Sequence, residues 1–324
     1  MKNLSDIGER KAIKLISNIL SKGKVAVGIG DDCAAFEFGK NYLLVTTDMI
    51  SEKTHIPKIM SPWQIGWFIV AINLSDIAAK GGKPIGLVLS LGMPKNTSES
   101  FLKDLMRGAD KCATKYNTAI VGGDTKENDE ITLCGTAFGL VKKDEFMGRR
   151  GVKPGDIIAV TGTLGKAVAG YYALRYNIRN KGMLKGFLEP NPRVKEGMVL
   201  AKTKIVTSSM DISDGLSSSL YQLQDLNKVG FEIEKERIPL SPMLLKLKRK
   251  KGFDVYYNAM HFGGDYELLV TMPPNRFKEA QKTIGNNLTM IGKVIKDKKI
   301  VIKSNGKIKT LENRGYEHFI KRGY

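Results

Sequence analysis

The chain has 324 residues, enough for two domains or for one large domain, and its hydrophobic content of 42% is that of an ordinary soluble globular protein. No apolar stretch reaches the roughly 18 residues that a membrane helix needs, so the composition excludes a protein with helical membrane spans. The 52 basic and 33 acidic residues give a formal net charge of +19, and a charge this large attracts polyanions.

The chain begins with an amphipathic, charged segment, so no signal peptide is predicted. The pattern predicts a helix at residues 9–20, and Pro62 in a first turn predicts another at residues 62–80. A continuous apolar run at residues 85–91 predicts a buried strand. The remaining elements predicted in this half are strands at residues 24–29, 42–46, 119–121 and 131–141, and a helix at residues 98–116.

The texture of the sequence changes at residues 142–156, which carry charge, three glycines and Pro154. This stretch predicts a junction between two domains, residues 1–142 and 150–324. The second half is predicted to have strands at residues 157–161, 205–208, 231–233, 268–272, 288–295 and 300–302, and helices at residues 164–176, 193–202 and 216–226. Because strands and helices alternate in both halves, the predicted fold class is α/β (α+β), with two domains.

The cysteines Cys33, Cys112 and Cys134 lie far apart and form no C-x-x-C pair. An odd, unclustered set in a chain of this length predicts reduced, mostly buried thiols and a cytoplasmic protein.

Basic residues cluster at 246–251 and 296–299, and aromatic residues interrupt neither cluster. No zinc-finger or RNP1-like pattern accompanies them. A Lys-rich surface that keeps the protein soluble and steers anionic ligands explains the charge more simply than nucleic-acid binding does. A basic nucleic-acid-binding module is therefore the less favoured alternative, and no membrane partner is expected.

Aspartates recur beside small or hydroxyl residues, and most of them follow an apolar, strand-like run. A single aspartate in such a place more often caps a helix or a turn. The whole set, gathered at one place in an α/β fold, would instead repel itself unless cations held it, and hard oxygen ligands suit Mg²⁺ and phosphate chemistry. The aspartates in question are Asp32, Asp48, Asp76, Asp124, Asp211 and Asp214, with Asp31 as an ambiguous neighbour of Asp32.

Two segments imitate phosphate-binding motifs. Residues 28–33 begin like the dinucleotide fingerprint but lack its third glycine. Residues 162–167 resemble a P-loop that is two residues short, with Ala167 in place of the Mg²⁺-binding Ser or Thr. The second segment could still offer the amides of a helix N-terminus to an anion.

Seven motifs follow one another along nearly the whole chain: GIGDDCA, TTDM, NLSDIAAKG, VGGDT, RGVKPGDIIAVTGTLG, MDISDGL and GGDYELL. In this order and spacing they resemble the thiamine-monophosphate kinase family, which belongs with the aminoimidazole-ribotide and selenophosphate synthetases. The resemblance implies ATP-dependent phosphorylation of thiamine monophosphate, with several Mg²⁺ ions and ATP as co-substrate. It also implies a two-domain synthetase-like fold whose N-terminal sheet pairs with that of a second subunit in a homodimer.

The resemblance further implies roles for individual residues. The metal shell would comprise Asp32, Thr46, Thr47, Asp48, Asp76, Asp124, Asp211 and Asp214. The ATP contacts would be Gly122, Gly123, Arg149 and Ser213, and the thiamine-phosphate contacts would be His55, Tyr316 and the position of Gly264. That last position departs from the family, which has a Glu there, so Asp265 and Glu267 are candidates to compensate.

The closest rivals are other ATP-dependent synthetases of the same superfamily. A selenophosphate synthetase would need a reactive cysteine near a Gly-rich N-terminus, and no cysteine precedes Cys33. A ribotide synthetase is disfavoured by the motifs MDISDGL and GGDYELL together. Because the acceptor of the implied reaction is a phosphate oxygen, ionised near neutral pH, no general base is predicted.

Overall fold

Two β-sheets, one from each half of the chain, organise the fold. The computed structural model describes residues 2–21, 23–249 and 252–320. The elements of the first half are α1 (Leu4–Ile19), β1 (Ala34–Phe38), β2 (Asn41–Ser51), α2 (Pro62–Ala79), β3 (Lys83–Met93), α3 (Glu99–Lys115), β4 (Ile120–Glu127) and β5 (Thr132–Lys142). The five strands form a sheet in the order β1-β2-β5-β3-β4, in which β3 and β4 are parallel and the other pairs antiparallel.

The second half forms a seven-stranded sheet in the order β12-β11-β8-β10-β6-β9-β7. Its strands are β6 (Ile157–Thr161), β7 (Ser208–Asp211), β8 (Gly230–Glu234), β9 (Leu268–Met272), β10 (Leu288–Ile295), β11 (Ile300–Ser304) and β12 (Lys307–Thr310). Its helices are α4 (Lys166–Arg175), α5 (Lys181–Leu188), α6 (Val194–Thr203), α7 (Leu216–Asn227), α8 (Pro242–Leu245), α9 (Val255–His261) and α10 (Phe277–Thr283). The predicted mixed α/β class with two sheets is confirmed.

Helix α2 lies at the centre of the molecule. Ser61 caps it, since the Ser61 hydroxyl accepts the backbone N–H of Gln64 at 3.2 Å, and Pro62 occupies the first turn. The helix is apolar on nearly every side, so it is buried on every side. It contacts β2, β5 and α3 in the first half and α6 and β7 in the second. This placement lets one helix carry side chains into a site shared by both halves.

The first sheet is covered on one face only. Along β2, Leu44, Thr46 and Ile50 are buried toward α2, as the two-residue period of a strand requires. The alternate residues face outward, and Met49 is 63% exposed there. Phe38 on β1 and Val121 on β4 are also exposed, at 60% and 65%. We call this surface the apolar outer face.

Helix α1 packs against the end of the chain. Gly8, at φ 74°, interrupts the helix, and a Cβ there would lie 2.5 Å from Ile320. The backbone N–H of Arg10 donates to Glu317 Oε1 at 3.4 Å, and the Arg10 guanidinium donates to Ser218. The first residues of the chain therefore contact its second half.

Two predicted strands are absent or displaced in the structure. Residues 24–29 do not form a strand; Val27 and Ile29 make isolated bridges, because the chain turns at Gly30, where φ is 108°. The strand predicted at residues 205–208 is shifted to Ser208–Asp211, where four buried residues pair with β9. The sequence also failed to indicate β1, α5, α8, α9, α10 and β12, all of which are short. Within the described residues, no helix has the length and apolar character needed to cross a bilayer.

Candidate active site

Three carboxylates from different parts of the chain meet where α2 passes between the sheets. Asp32 precedes β1, Asp76 lies in α2, and Asp211 ends β7. One oxygen from each lies within 4.8 Å of the corresponding oxygens of the other two. We call these residues, with the adjacent Asp48, the carboxylate cluster. The predicted convergence is present, although Asp76 lies inside a helix and Asp48 inside a strand rather than at a strand end.

Polar side chains of α2 tie the cluster to both halves of the molecule. The Thr46 hydroxyl donates to Asp76 Oδ2 at 2.6 Å, which joins α2 to β2. The Ser75 hydroxyl donates to Asp211 Oδ2 at 2.6 Å, which joins α2 to β7. Asn73 Oδ1 accepts the backbone N–H of Asp48 at 3.2 Å.

Three of the four carboxylates in the cluster, Asp48, Asp76 and Asp211, carry negative charge that cations of the chain do not fully neutralise. Burial raises the pKa of Asp76 well above its usual value, and Asp48 and Asp211 raise it further. Burial and the nearby Asp32 raise the pKa of Asp211 to about 7 and that of Asp48 to about 6. Carboxylates that are buried beside like charges are stabilised by a bound cation.

Asp32 is the exception, because two cations of the chain hold it. Lys80 is fully buried, and its Nζ lies 2.7 Å from Asp32 Oδ2 and 2.6 Å from Asp31 Oδ1. The Arg149 Nε donates to Asp32 Oδ1 at 2.9 Å. Burial acts to raise the pKa of Asp32, but Arg149 and Lys80 outweigh it, so the pKa lies below its usual value. Asp31 also accepts the backbone N–H of Arg149 at 2.9 Å, so it serves as an internal anchor.

The cluster fits a hard divalent cation such as Mg²⁺. Its donors are carboxylate oxygens, and the hydroxyl of Thr46 stands beside them. Three of its four carboxylates, Asp48, Asp76 and Asp211, have raised pKa values, which reflect uncompensated negative charge. This chemistry matches the oxygen ligands that Mg²⁺ takes in proteins.

Four further residues that were predicted for the site lie close together just beyond the end of β7: Ser213, Asp214, Gly264 and Tyr316. The backbone carbonyl of Asp214 accepts the N–H of Tyr316 at 3.0 Å, and that of Ser213 accepts the N–H of Gly264 at 2.6 Å. Burial raises the pKa of Asp214 to about 6, and Glu9 adds to this. Gly264 has φ 89°, a conformation in which a side chain is strained, so the glycine suits its backbone.

His55 lines a cavity of about 490 Å³ that Tyr171 and Phe187 also border. The Ser51 N–H points at His55 Nδ1 at 3.4 Å, so Nδ1 accepts and a neutral ring carries its proton on Nε2. Burial, with His318 5.2 Å away between ring centroids, lowers the pKa of His55 to about 4. The imidazole is therefore neutral at pH 7 and can donate from Nε2.

The residues predicted from VGGDT lie apart from the carboxylate cluster. Asp124 is on the edge strand β4, with its side chain 60% exposed and 3.7 Å from Lys126. It pairs in register with the exposed Ser90, so it shares the outer face of the sheet with Thr47. Gly123 has a structural reason to be glycine, because a Cβ there would lie 1.9 Å from the Leu89 carbonyl oxygen. A Cβ at Gly122 would have more room than one at Gly123.

A second set of buried charges surrounds Glu267, which is fully buried. Arg193 donates to both of its carboxylate oxygens at 2.6 Å, Thr161 donates at 2.6 Å, and Lys166 also bonds it. We call these four residues the Glu267 cluster. Glu267 therefore has its full set of partners inside the protein.

Asp265 is held in a related way. Its carboxylate accepts the backbone N–H groups of Gly165 and Ala167, at the N-terminus of α4. Burial nevertheless raises the pKa of Asp265 to about 6. The helix N-terminus that resembled a P-loop thus binds an anion of the chain itself, and residues 162–167 serve to fix the segment that follows Gly264.

Comparison with known proteins gives the family. The family model of AIR synthase related proteins matches residues 30–141 with its N-terminal domain and residues 153–305 with its C-terminal domain. The thiamine-monophosphate kinase of Methanospirillum hungatei is 37% identical over 89% of this chain and 92% of its own length. The chain belongs to the thiamine-monophosphate kinase family.

Other members agree with this assignment. The Pyrococcus abyssi thiamine-monophosphate kinase is 35% identical over 90% of each chain. A solved structure described as AaThiL complexed with AMPPCP and TMP superposes with a TM-score of 0.88, at 31% identity, over 98% of this chain and 99% of its own. The resemblance stated from the seven motifs is confirmed.

Sequence reasoning missed several residues of this thiamine-monophosphate kinase family site. Lys80, Asn73 and Ser75 hold its carboxylates; Asn73 and Ser75 were visible as polar residues inside the apolar run of α2, and Lys80 directly follows that run. His318 packs beside His55, and its Nδ1 forms a hydrogen bond of 3.2 Å with the Tyr316 hydroxyl. Only spatial proximity reveals His318, since more than 260 residues separate it from His55.

Proposed function

We propose that this protein transfers the γ-phosphoryl group of ATP to thiamine monophosphate, which gives ADP and thiamine diphosphate. The observation that carries the proposal is the meeting of Asp32, Asp76 and Asp211 within 4.8 Å in a member of this family. The complex of the related AaThiL with AMPPCP and TMP supports the choice of the two substrates.

The proposal assigns Mg²⁺ to the carboxylate cluster. Asp32, Asp48, Asp76 and Asp211 would hold the ions, with Asp214, the Thr46 hydroxyl and the backbone carbonyl of Thr47 as further ligands. When bound, the ions would neutralise charge on the phosphates of the two substrates. Lys80 supports this role because its ammonium group pairs with both Asp31 and Asp32 and holds them in place.

ATP would be held by Gly122, Gly123, Ser213 and Arg149. The Arg149 guanidinium already donates to Asp32 and, at 2.9 Å, to Gln222 Oε1. It is thereby oriented before ATP binds, and in this role it would share its remaining N–H groups with a phosphate.

The thiamine phosphate would lie near His55 and Tyr316. A neutral His55 would donate from Nε2 to a phosphate oxygen, which its lowered pKa supports. Tyr316, 37% exposed, offers a ring face to a cationic thiazolium. Gly264 offers its backbone alone, and Asp265 and Glu267 do not replace the missing side chain because both are engaged elsewhere.

The acceptor oxygen needs no base. The second ionisation of a phosphate monoester has a pKa of about 6, so the nucleophile is ionised at neutral pH. The chain would act by aligning the acceptor with the γ-phosphorus, by excluding water, and by keeping its own anions paired. In-line transfer without a phosphoenzyme is part of the proposal.

A homodimer completes the proposal. A second copy would cover the exposed side chains of the apolar outer face, which include Phe38, Met49 and Val121. Asp124 and Thr47 lie on this face, so in the dimer Asp124 of one subunit would reach the site of the other. The two domains would be residues 1–142 and 150–324. A cytoplasmic location is supported by the three free thiols.

The test of the reaction is ADP release with a panel of phosphorylated vitamins and ribotides. We expect release with thiamine monophosphate and an equal amount of thiamine diphosphate, dependent on Mg²⁺. Release with a ribotide and none with thiamine monophosphate would overturn the proposal in favour of a ribotide synthetase.

The shared site is tested separately by mixing two inactive variants, Asp48→Asn and Asp124→Asn. If Asp124 acts across the dimer, mixed dimers regain one intact site and up to about a quarter of the wild-type activity returns after subunit exchange, since half the dimers are mixed. Failure to regain activity, with exchange shown by mass spectrometry, would place Asp124 in its own subunit's site.

A further inference from the structure

A cavity of about 730 Å³ lies beside α5, and its lining includes none of the residues assigned above to metal, ATP or substrate. Its volume is in the range of small-molecule sites. Both tryptophans of the chain and four lysines line it. We call it the lysine–tryptophan pocket, formed by Trp63, Trp67, Lys111, Lys115, Lys166 and Lys185.

The aromatic wall of this pocket is fixed in advance. Trp63 and Trp67 stack with ring centroids 5.3 Å apart and an interplanar angle of 23°. Trp67 Nε1 donates to the Pro190 carbonyl at 2.8 Å, which sets the angle of the inner ring. Trp63 is less buried than Trp67 and can offer its indole to a planar ligand.

The charges of the pocket favour an anion. Lys115 Nζ lies 5.1 Å above the ring of Trp67, where burial and then the nearby Lys185 lower the pKa of Lys115. Two acids face these lysines, but both are engaged. Glu189 Oε1 accepts from Gln64 at 3.0 Å and its other oxygen lies 3.6 Å from Lys185, while Asp265 accepts two backbone amides.

We propose that the lysine–tryptophan pocket binds an oligophosphate ester of a planar heterocycle, and that its occupancy regulates the kinase site. The ring lies against Trp63, and the phosphates lie among Lys111, Lys115, Lys166 and Lys185. The regulatory part rests on the proposed function; the binding part does not.

A short path connects the pocket with the carboxylate cluster. Asp265 lines the pocket and precedes Tyr266, whose ring meets Phe68 of α2 edge-on at 6.2 Å. Burial and the carboxylates Asp48 and Asp211 raise the pKa of Tyr266, so its hydroxyl lies in their field. Lys166 connects the same pocket to Glu267. A phosphate that draws Lys166 away from Glu267 therefore acts on the segment between the two sites.

Tryptophan fluorescence measures binding directly, because both tryptophans of the chain are in the pocket. The probes are thiamine diphosphate and ADP, each titrated without divalent cations, with inorganic diphosphate to measure the phosphate contribution alone. We expect saturable quenching by both ring-bearing probes. In a Lys111→Gln/Lys185→Gln variant the apparent Kd should rise at least about tenfold.

Two controls separate this pocket from the kinase site. Lys103→Gln removes an exposed lysine of the same helix α3 outside the pocket, and it should titrate like the wild type. Asp211→Asn alters the carboxylate cluster and should keep the quenching. The Lys111→Gln/Lys185→Gln variant should keep the wild-type KM for thiamine monophosphate. In the wild type, we expect thiamine diphosphate to cause an inhibition that excess thiamine monophosphate does not relieve, and the variant should lose this inhibition.

Three outcomes would overturn the inference. If a protein with full kinase activity shows no quenching, the pocket does not bind these ligands, and the proposed function is unaffected. Quenching lost in Asp211→Asn and kept in the double lysine variant assigns the signal to the kinase site. A parallel rise in the KM for thiamine monophosphate in the double lysine variant makes the pocket part of the substrate site rather than a second site.

Discussion

The carboxylate cluster and the Glu267 cluster both bury acidic side chains, but they differ in how the negative charge is balanced. Glu267 receives Arg193, Lys166 and the Thr161 hydroxyl from the chain itself. Asp76 and Asp211 receive hydroxyl groups alone, and their pKa values are raised. A buried acid that is paired with cations of its own chain cannot lose its charge without leaving those cations unpaired, whereas a buried acid without such cations favours the binding of an ion from outside.

Neutralising one acid in each cluster should have opposite results. Asp211→Asn should lower kcat by about a thousandfold or more, because it removes a proposed metal ligand. Its melting temperature without Mg²⁺ should stay the same or rise, since a repulsion is lost. Steady-state kinetics and thermal unfolding with a chelator measure both effects. Near wild-type turnover at saturating Mg²⁺ would contradict the metal assignment.

Glu267→Gln should instead destabilise the fold by about 3 kcal/mol, because Arg193 and Lys166 lose the charge that pairs them. Urea unfolding measures the free energy. Glu99→Gln is the matched control; it breaks an exposed ion pair with Lys103 and should change stability by less than about 0.5 kcal/mol. An equal effect of the two changes would show that the Glu267 cluster is not the structural one.

The pH dependence of stability should distinguish the clusters next. The folded-state pKa values of Asp48 and Asp211, about 6 and about 7, exceed the unfolded value of 3.8. The unfolded chain therefore releases these protons at a lower pH than the folded protein does. Without divalent cations, stability should therefore fall by about 1–3 kcal/mol as pH rises from about 4 to 7.

The control for this pH effect is saturating Mg²⁺, which should remove most of the decline. Asp211→Asn should also flatten the profile in the chelated protein. Chemical unfolding at a series of pH values follows both. A wild-type profile that stays flat in the presence of chelator would mean that the carboxylates are paired within the chain after all.

The smallest expected effect concerns the substrate end of the site. Tyr316→Ala should raise the KM for thiamine monophosphate several-fold, since a ring face over a cation contributes about 0.5–2 kcal/mol. The KM for ATP should change less. Tyr316→Phe keeps the ring and serves as the control. An equal rise in both KM values would assign Tyr316 a structural role.

The sequence predicted what depends on local pattern. The strands at residues 157–161, 268–272 and 288–295 have the predicted bounds; the first two are short, mostly apolar runs that are buried throughout. Asp32, Asp76 and Asp211 were found because each sits in a recognisable motif, and the structure brings them together.

What the sequence could not predict depends on distant partners. Burying Lys80 costs free energy unless anions meet it, and Asp31 and Asp32 lie about fifty residues earlier in the chain. The α4 N-terminus resembled a phosphate loop, but the anion that it binds is Asp265, about one hundred residues away. The role of Asp124 stays a prediction, because on its edge strand it faces away from the carboxylate cluster of its own chain.

Helix α2 has a consequence for anyone who would recombine this protein with its relatives. Its 18 residues span about 27 Å, with the tryptophans near one end and Asp76 near the other. Chimaeras joined at the boundary near residue 142 inherit α2 from one parent and its partners α6 and β7 from the other. Such hybrids should fold only when both parents share the surface of this helix, so the productive crossover points lie outside its contacts rather than at the junction between the domains.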